Sequence, residues 1–184
     1  MLDTLFDVDG AAYVTGDARE LSSAVVVIGL GNSYRQDDGV GVAAAAALDE
    51  LALPHVRVVT GIADPMDLVE AWSGAPLAVV IDGAVMTPST PGRVSHCTVG
   101  DLVTASDGLS SHRVDIGRTY ALGQVLGRTP GALEIFTIEL ADTGHGIGLT
   151  PKVAGAVSEV VDKVVAEIKR NRRPGRRLRR PASW

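Results

Sequence analysis

Val25-Val26-Val27-Ile28-Gly29-Leu30-Gly31-Asn32-Ser33-Tyr34-Arg35-Gln36-Asp37-Asp38-Gly39-Val40-Gly41 is the stretch whose reading decides the fold. Ala24 to Ile28 is a continuous apolar, β-branched run, the pattern of a strand covered on both faces. Glycines then reverse the chain, and Gly39 to Ala52 is alanine-rich with Leu48 and Leu51 at helix spacing. Strand, turn and helix in this order resemble a dinucleotide-binding turn, but the chemistry differs. Such a turn needs Gly-x-Gly-x-x-Gly, so that backbone amides and a helix N-terminus face a pyrophosphate. Here the third glycine position holds Tyr34, and the following helix is expected to open with Asp37 and Asp38. Carboxylates suit a helix N-terminus but repel an incoming phosphate, so a cation is the first candidate ligand.

Outward from this stretch, strands and helices alternate. Val56 to Thr60 reads as a second strand, and Asp64-Pro65 opens a helix with a capping residue and proline at its first position, Leu68, Val69 and Trp72 facing inward. Leu77 to Ile81 is a third strand ending in an Asp82-Gly83 turn. Pro88, Pro91 and Gly92 mark a loop before Arg93 to Val99, whose alternation suits a less buried edge strand. Ser110-Ser111 is expected to cap a helix through His112, Ile116, Tyr120, Leu122 and Leu126. Leu133 to Leu140 is a fifth strand, and Thr150-Pro151 opens a long helix with Val153, Val157, Val160, Val161, Val164, Val165 and Ile168 on one stripe. The expected fold is a three-layer α/β sandwich: a mostly parallel five-stranded sheet, one antiparallel strand reached through the proline-glycine loop, and helices on both faces.

The 184 residues, 46% of them hydrophobic, suit one domain, expected over 23–168 between a loosely ordered leader at 1–22 and a basic, disordered tail at 169–184. The formal charge of −5 conceals segregation. From Lys169 onward there are eight basic and no acidic residues, and the body up to Ile168 carries nine basic against 22 acidic residues, a balance of −13. An acidic body with few aromatics weighs against nucleic acid as a partner. The single cysteine, Cys97, excludes an internal disulfide. No apolar run approaches the roughly 18–20 residues that span a bilayer, so no membrane partner is expected. With no basic-then-apolar leader, the expected location is cytoplasmic; a monomer is the working expectation.

Ligands of open α/β sheets bind beyond the carboxyl ends of the strands. Three polar residues are expected there: Asp38 after the first strand, Asp82 after the third, and His112 at a helix start. Two carboxylates and an imidazole suit a borderline divalent metal such as zinc or nickel. Each has a plainer reading: Asp38 as a helix-dipole or capping residue, Asp82 as part of a turn, His112 as a surface histidine. Their shared edge of the sheet favours the set. His96 reads as a packed or edge residue, His55 and His145 as loop residues. Cys97 has only the adjacent His96 as a base, on the opposite face of its strand, so a thiol nucleophile is rejected.

Gly29-Leu30-Gly31-Asn32 with Asp37-Asp38-Gly39-Val40-Gly41, then Val80-Ile81-Asp82-Gly83-Ala84, Ser110-Ser111-His112 and Gly148-Leu149-Thr150-Pro151-Lys152-Val153 together resemble the maturation endopeptidases of nickel-iron hydrogenases, over residues 24 to 168. The resemblance implies a protease that clips a C-terminal extension from the hydrogenase large-subunit precursor after nickel insertion. It implies Asp38, Asp82 and His112 as metal-contacting and catalytic residues, with nickel supplied by the substrate and other divalent metals able to substitute. Where that family most often has glutamate, this chain has Asp38, one methylene shorter. The alternative from a different class is a non-enzymatic, metal-binding assembly factor that recognises the nickel-loaded subunit. A nucleotide-binding domain is disfavoured by Tyr34 and by the lack of an acid at the end of the second strand.

Overall fold

The computed structural model describes residues 24–104 and 115–172, together with two short strands, β1 (Leu5–Phe6) and β2 (Ala12–Tyr13), which pair antiparallel. Residues 173–184 of the expected tail, most of the leader, Ser110-Ser111 and His112 lie outside the described residues, whereas residues 169–171, expected to begin the tail, continue the last helix. In the body, β3 (Val25–Gly29) leads through a 3-10 turn (Gln36–Gly39) into α1 (Val40–Glu50). Then follow β4 (Val56–Val59), α2 (Pro65–Trp72), β5 (Ala78–Ala84), β6 (Val94–Thr98), α3 (Val99–Thr104), α4 (Ile116–Val125), β7 (Leu133–Glu139) and α5 (Pro151–Asn171). The sheet runs β4-β3-β5-β7-β6. All neighbours are parallel except β6, which pairs antiparallel with β7 at the edge. This is the expected mostly parallel, five-stranded sandwich, and the strand reached through the proline-glycine loop is its antiparallel member.

Side-chain alternation along the strands divides the core into two layers. Val25 and Val27 of β3, Val79 and Ile81 of β5, and Phe136 and Ile138 of β7 pack against α1 and α5. Their neighbours Val26 and Ile28, Ala78 and Val80, and Leu133 and Ile135 pack against α2 and Ile116 of α4. Helix α5 buries Val153, Val160, Val164 and Ile168, with Val157, Val161 and Val165 partly buried beside them, as its stripe requires. Helix α2 has the expected start: Asp64 accepts from the Met66 and Asp67 amides at 2.7 and 3.1 Å, and the Asp67 carboxylate accepts from the Asp64 amide at 3.2 Å. Trp72 closes it, fully buried, donating from its indole to the Arg128 carbonyl and meeting Tyr120 edge-on. Among the described residues no helix is long and apolar enough to cross a membrane.

Three local expectations are corrected. The first helix does not open on the acids: Asp37 and Asp38 sit in the 3-10 turn and α1 starts at Val40, because both carboxylates hydrogen-bond outside the helix. The third strand does not stop at Asp82-Gly83; β5 runs to Ala84, with Asp82 opposite Thr137 and Gly83 opposite Ile138, because β7 continues to offer a partner there. Helix α4 is capped by Asp115, not by Ser110-Ser111. The Asp115 carboxylate accepts from the Arg118 amide at 3.0 Å, and its carbonyl accepts from the Thr119 amide and hydroxyl.

Candidate active site

The site begins with how closely α1 approaches the sheet. A Cβ on Gly41 would collide with the carbonyl oxygens of Leu30 and Ile81, so only glycine lets the helix start against the ends of β3 and β5. Gly31, at φ +122°, takes a conformation that side chains disfavour, with the Asp38 carbonyl where a Cβ would lie. The glycines thus serve chain reversal and close packing rather than phosphate approach. The acids that follow are brought to the carboxyl edge of the sheet.

Asp37 and Asp38 are adjacent, yet they are used differently. Asp37 is fully buried, and its carboxylate accepts four hydrogen bonds from the loop between β7 and α5. Oδ1 accepts from the Thr150 amide at 2.6 Å; Oδ2 accepts from the Ala141 and Asp142 amides at 3.0 and 2.9 Å and from the Thr150 hydroxyl at 3.0 Å. The backbones join as well: the Gln36 amide donates to the Gly146 carbonyl, the Asp37 amide to the Asp142 carbonyl, and the Gly146 amide to the Tyr34 carbonyl, each at 3.0–3.1 Å. Asp37 therefore fastens the turn after β3 to residues 141–150, and Thr150 starts α5 while spending its hydroxyl on Asp37 rather than on its own helix.

Asp38 points the other way. It is 8% exposed, accepts from the Asn32 amide through Oδ2 at 3.2 Å, and lines an open cleft of about 700 Å³. Successive residues of a 3-10 helix project about 120° apart, which explains why neighbouring acids face different partners. The cleft lies where open α/β sheets bind their ligands, beyond the carboxyl ends of β3, β4 and β5, between Leu30–Arg35, Thr60–Ala63, Val85 and Thr143. Arg35 closes one side, its guanidinium donating to the Thr143 carbonyl at 3.1 and 3.4 Å.

Asp82 is 1% exposed, and its Oδ1 accepts from the Gly83 amide at 2.8 Å. Its place follows from register. The β3 ladder ends at Gly29 opposite Ile81, and the Leu30 amide donates to the Ile81 carbonyl at 2.9 Å, so Asp82 is the first β5 residue beyond it. Alternation with Ala78 and Val80 puts it on the face covered by α2 and α4, the helix that residue 112 precedes. His112 lies outside the described residues; of the expected trio, Asp38 stands after the end of β3 and Asp82 near the carboxyl end of the neighbouring β5, with Asp38 in the cleft wall and Asp82 not among the residues that line it. Among the described residues no group of three His, Cys, Asp or Glu side chains forms a metal cluster.

The other candidates have structural uses. His96 stacks on Phe136 at 4.4 Å and hydrogen-bonds Glu134 through Nε2 at 2.7 Å, the packed edge residue expected. His145 is exposed in its loop, and His55 sits in the turn before β4 at φ 54°. Cys97 faces the opposite layer from His96. Burial, then the Asp101 and Glu134 carboxylates, push its thiol up, against any nucleophilic use. Sequence reading does not reveal the latch on Asp37: its partners lie more than a hundred residues away, and Thr150-Pro151 reads as a helix start and as part of a family motif, not as a partner of Asp37.

Fold and cleft define an α/β protein that presents buried carboxylates at the strand ends where dinucleotide-binding proteins present bare amides. The model of the hydrogenase maturation protease family matches residues 42–167, and the chain belongs to that family; it is a hydrolase of the endopeptidase class. Asp82 and His112 lie inside the matched stretch and Asp38 four residues before it. The chain is 28% identical over 152 residues to the hydrogenase expression/formation protein HupD of Rhodobacter capsulatus, covering 79% of this chain and 71% of that protein. Among solved structures it is similar to the hydrogenase maturating endopeptidase HybD from E. coli, with a TM-score of 0.71 at 20% identity, over 81% of this chain and 94% of that one. The [NiFe] hydrogenase maturation protease HybD from Thermococcus kodakarensis gives 0.65 at 23% identity, over 78% and 98%. These structures share the sandwich.

Proposed function

We propose that the protein removes the C-terminal extension of a nickel-iron hydrogenase large-subunit precursor after nickel insertion, in the cytoplasm, with Asp38, Asp82 and His112 reading the substrate's metal. The observation that carries this reading is the open cleft at the carboxyl edge of the sheet with the Asp38 carboxylate in its wall and Asp82 on the face of the helix that follows residue 112. Two carboxylates and an imidazole match a borderline divalent ion such as nickel, and three protein donors leave positions for the substrate's own ligands. In this reading nickel arrives as part of the substrate, and docking it places the scissile bond in the cleft. A water adds to the scissile carbonyl carbon and gives its proton to a neighbouring carboxylate acting as general base. The C–N bond then breaks as the departing amine takes up a proton. An unfinished subunit lacks the docking group, so cleavage waits for metal insertion.

The test is incubation of purified nickel-loaded precursor with the protein, followed by mass spectrometry of the large subunit. Loss of the C-terminal peptide is expected with the wild type and none with Asp82→Asn or His112→Ala, both of which should unfold thermally within a few degrees of the wild type. Full activity in both variants would overturn the site assignment. A precursor that is bound by the wild type but stays full-length would favour the assembly-factor reading instead.

A further inference from the structure

The cleft that holds Asp38 carries exposed apolar side chains on its rim. Tyr34 is 73% exposed and Val85 52%, and both line the cleft; Ile147, 80% exposed, follows Gly146, whose amide donates to the Tyr34 carbonyl. Large exposed apolar side chains cluster where something docks. Tyr34 is also presented rigidly, since its amide donates to the Asn32 side chain at 2.9 Å and its carbonyl is held by Gly146 at 3.0 Å. A fixed backbone carrying an exposed aromatic ring is the form of a binding anchor, because little freedom remains to be lost on contact. This also accounts for Tyr34 in the position where a dinucleotide turn would carry glycine.

The family's endopeptidase activity requires an extended polypeptide to reach this edge of the sheet, and the acidic body disfavours an acidic one. Resting on the function proposed above, we infer that Tyr34, Ile147 and Val85 seat an apolar-rich, uncharged or basic segment of the precursor next to its scissile bond. Tyr34 is the anchor, and the three side chains set which sequences are accepted.

Cleavage kinetics and calorimetric dissociation constants for the nickel-loaded precursor test this together. Tyr34→Ala and Ile147→Ser should each raise KM and the dissociation constant about tenfold or more, with a smaller fall in kcat, as expected for truncated interface anchors. Tyr34→Phe should stay within about threefold, because the ring does the packing. Val125→Ser, which removes an equally exposed apolar side chain from α4, should behave as the wild type. Unchanged binding in Tyr34→Ala and Ile147→Ser would overturn the inference. So would a large fall in melting temperature in both, which would mean the rim covers a segment of this chain, or conversion of a wild-type dimer to monomer, which would mean it covers a second copy. A wild type that binds the precursor without cutting it defeats the function proposed above, while the dissociation constants still decide the rim.

Discussion

Asp37→Asn replaces one carboxylate oxygen with an amide NH2 and leaves the size of the side chain unchanged. In the native protein four donors converge on that carboxylate, three on Oδ2 and the Thr150 amide on Oδ1 at 2.6 Å. Asparagine can satisfy at most the three donors on one oxygen, and its NH2 then faces the Thr150 amide, donor against donor. The orphaned pair costs about 1–3 kcal/mol, and loss of the charge from the three remaining bonds costs about 0.5–1 kcal/mol each, together about 2.5–6 kcal/mol. Against a typical domain stability of roughly 5–15 kcal/mol this is a large fraction. Equilibrium urea unfolding at neutral pH should show the unfolding free energy falling by that amount, with the midpoint lowered in proportion and the slope unchanged. The melting temperature should fall by about 5–24 °C for a chain of this size. Thr150→Ala, which removes only the hydroxyl donor, should cost about 1 kcal/mol, and the double variant should be less destabilised than the sum of the two. A loss below about 1 kcal/mol in Asp37→Asn would overturn the latch. Wild-type stability combined with abolished cleavage would do so more pointedly, because it would make Asp37 a group of the site instead of a fastener.

Gly41→Ala should lower stability by about 1–3 kcal/mol or more, since α1 must retreat from the Leu30 and Ile81 carbonyls; a melting temperature within a degree of the wild type would deny the close approach. Glu139 is buried, which alone would raise its carboxyl, but the Thr90 amide and the Arg93 guanidinium outweigh burial and hold it below the ordinary glutamate value of about 4.3. Its contribution is therefore complete above that value and is lost as pH falls through the lower folded value; Glu139→Gln should be less stable at neutral pH and should show a shallower acid decline in urea titrations from pH 7 to 3. Cys97→Ser should keep cleavage of the precursor, and the native thiol should react with a disulfide reagent more slowly than a free cysteine at pH 7.5, because its thiolate is disfavoured. Loss of cleavage in that variant would reinstate a thiol role.

The layers of the fold were legible because apolar periodicity reports burial directly. The continuous runs of β3 and β5 could belong only to strands covered on both faces, and the valine stripe of α5 only to a helix lying on the sheet. Boundaries were harder, because several residues could perform the same local task. Ser110, Ser111 and Asp115 are all good caps, and the choice fell to Asp115, whose carboxylate reaches the Arg118 amide. The edge strand, expected to reach Val99, ends at Thr98, and α3 starts at Val99 in a stretch given no element from sequence, although Thr98 and Asp101 carry a cap signal: the Asp101 carboxylate accepts from both the amide and the hydroxyl of Thr98 at 2.8 Å.

The division of labour between Asp37 and Asp38 lies at the limit of what one sequence can say. Both are acids, both occupy the same turn, and local chemistry does not rank them. What separates them is a loop that returns after the whole sheet has been built, bringing the amides of Ala141, Asp142 and Thr150 to one side of the turn and leaving the other side open. The carboxylate that meets those donors becomes structural, and the other lines the cleft, where the proposed function uses it. That geometry also bears on the short reach of Asp38. Gly31 lets the Asp38 backbone lie against the β3 turn, and the Asn32 amide donates to Oδ2 at 3.2 Å, a contact that a longer side chain would have to rearrange. Asp38→Glu should therefore retain cleavage only if the added methylene can release that bond and re-aim into the cleft, and Asp38→Asn, which keeps the shape and removes the charge, should lose it. Measured side by side on the nickel-loaded precursor, full activity in Asp38→Asn would remove Asp38 from the reaction and leave the cleft's chemistry to Asp82 and residue 112.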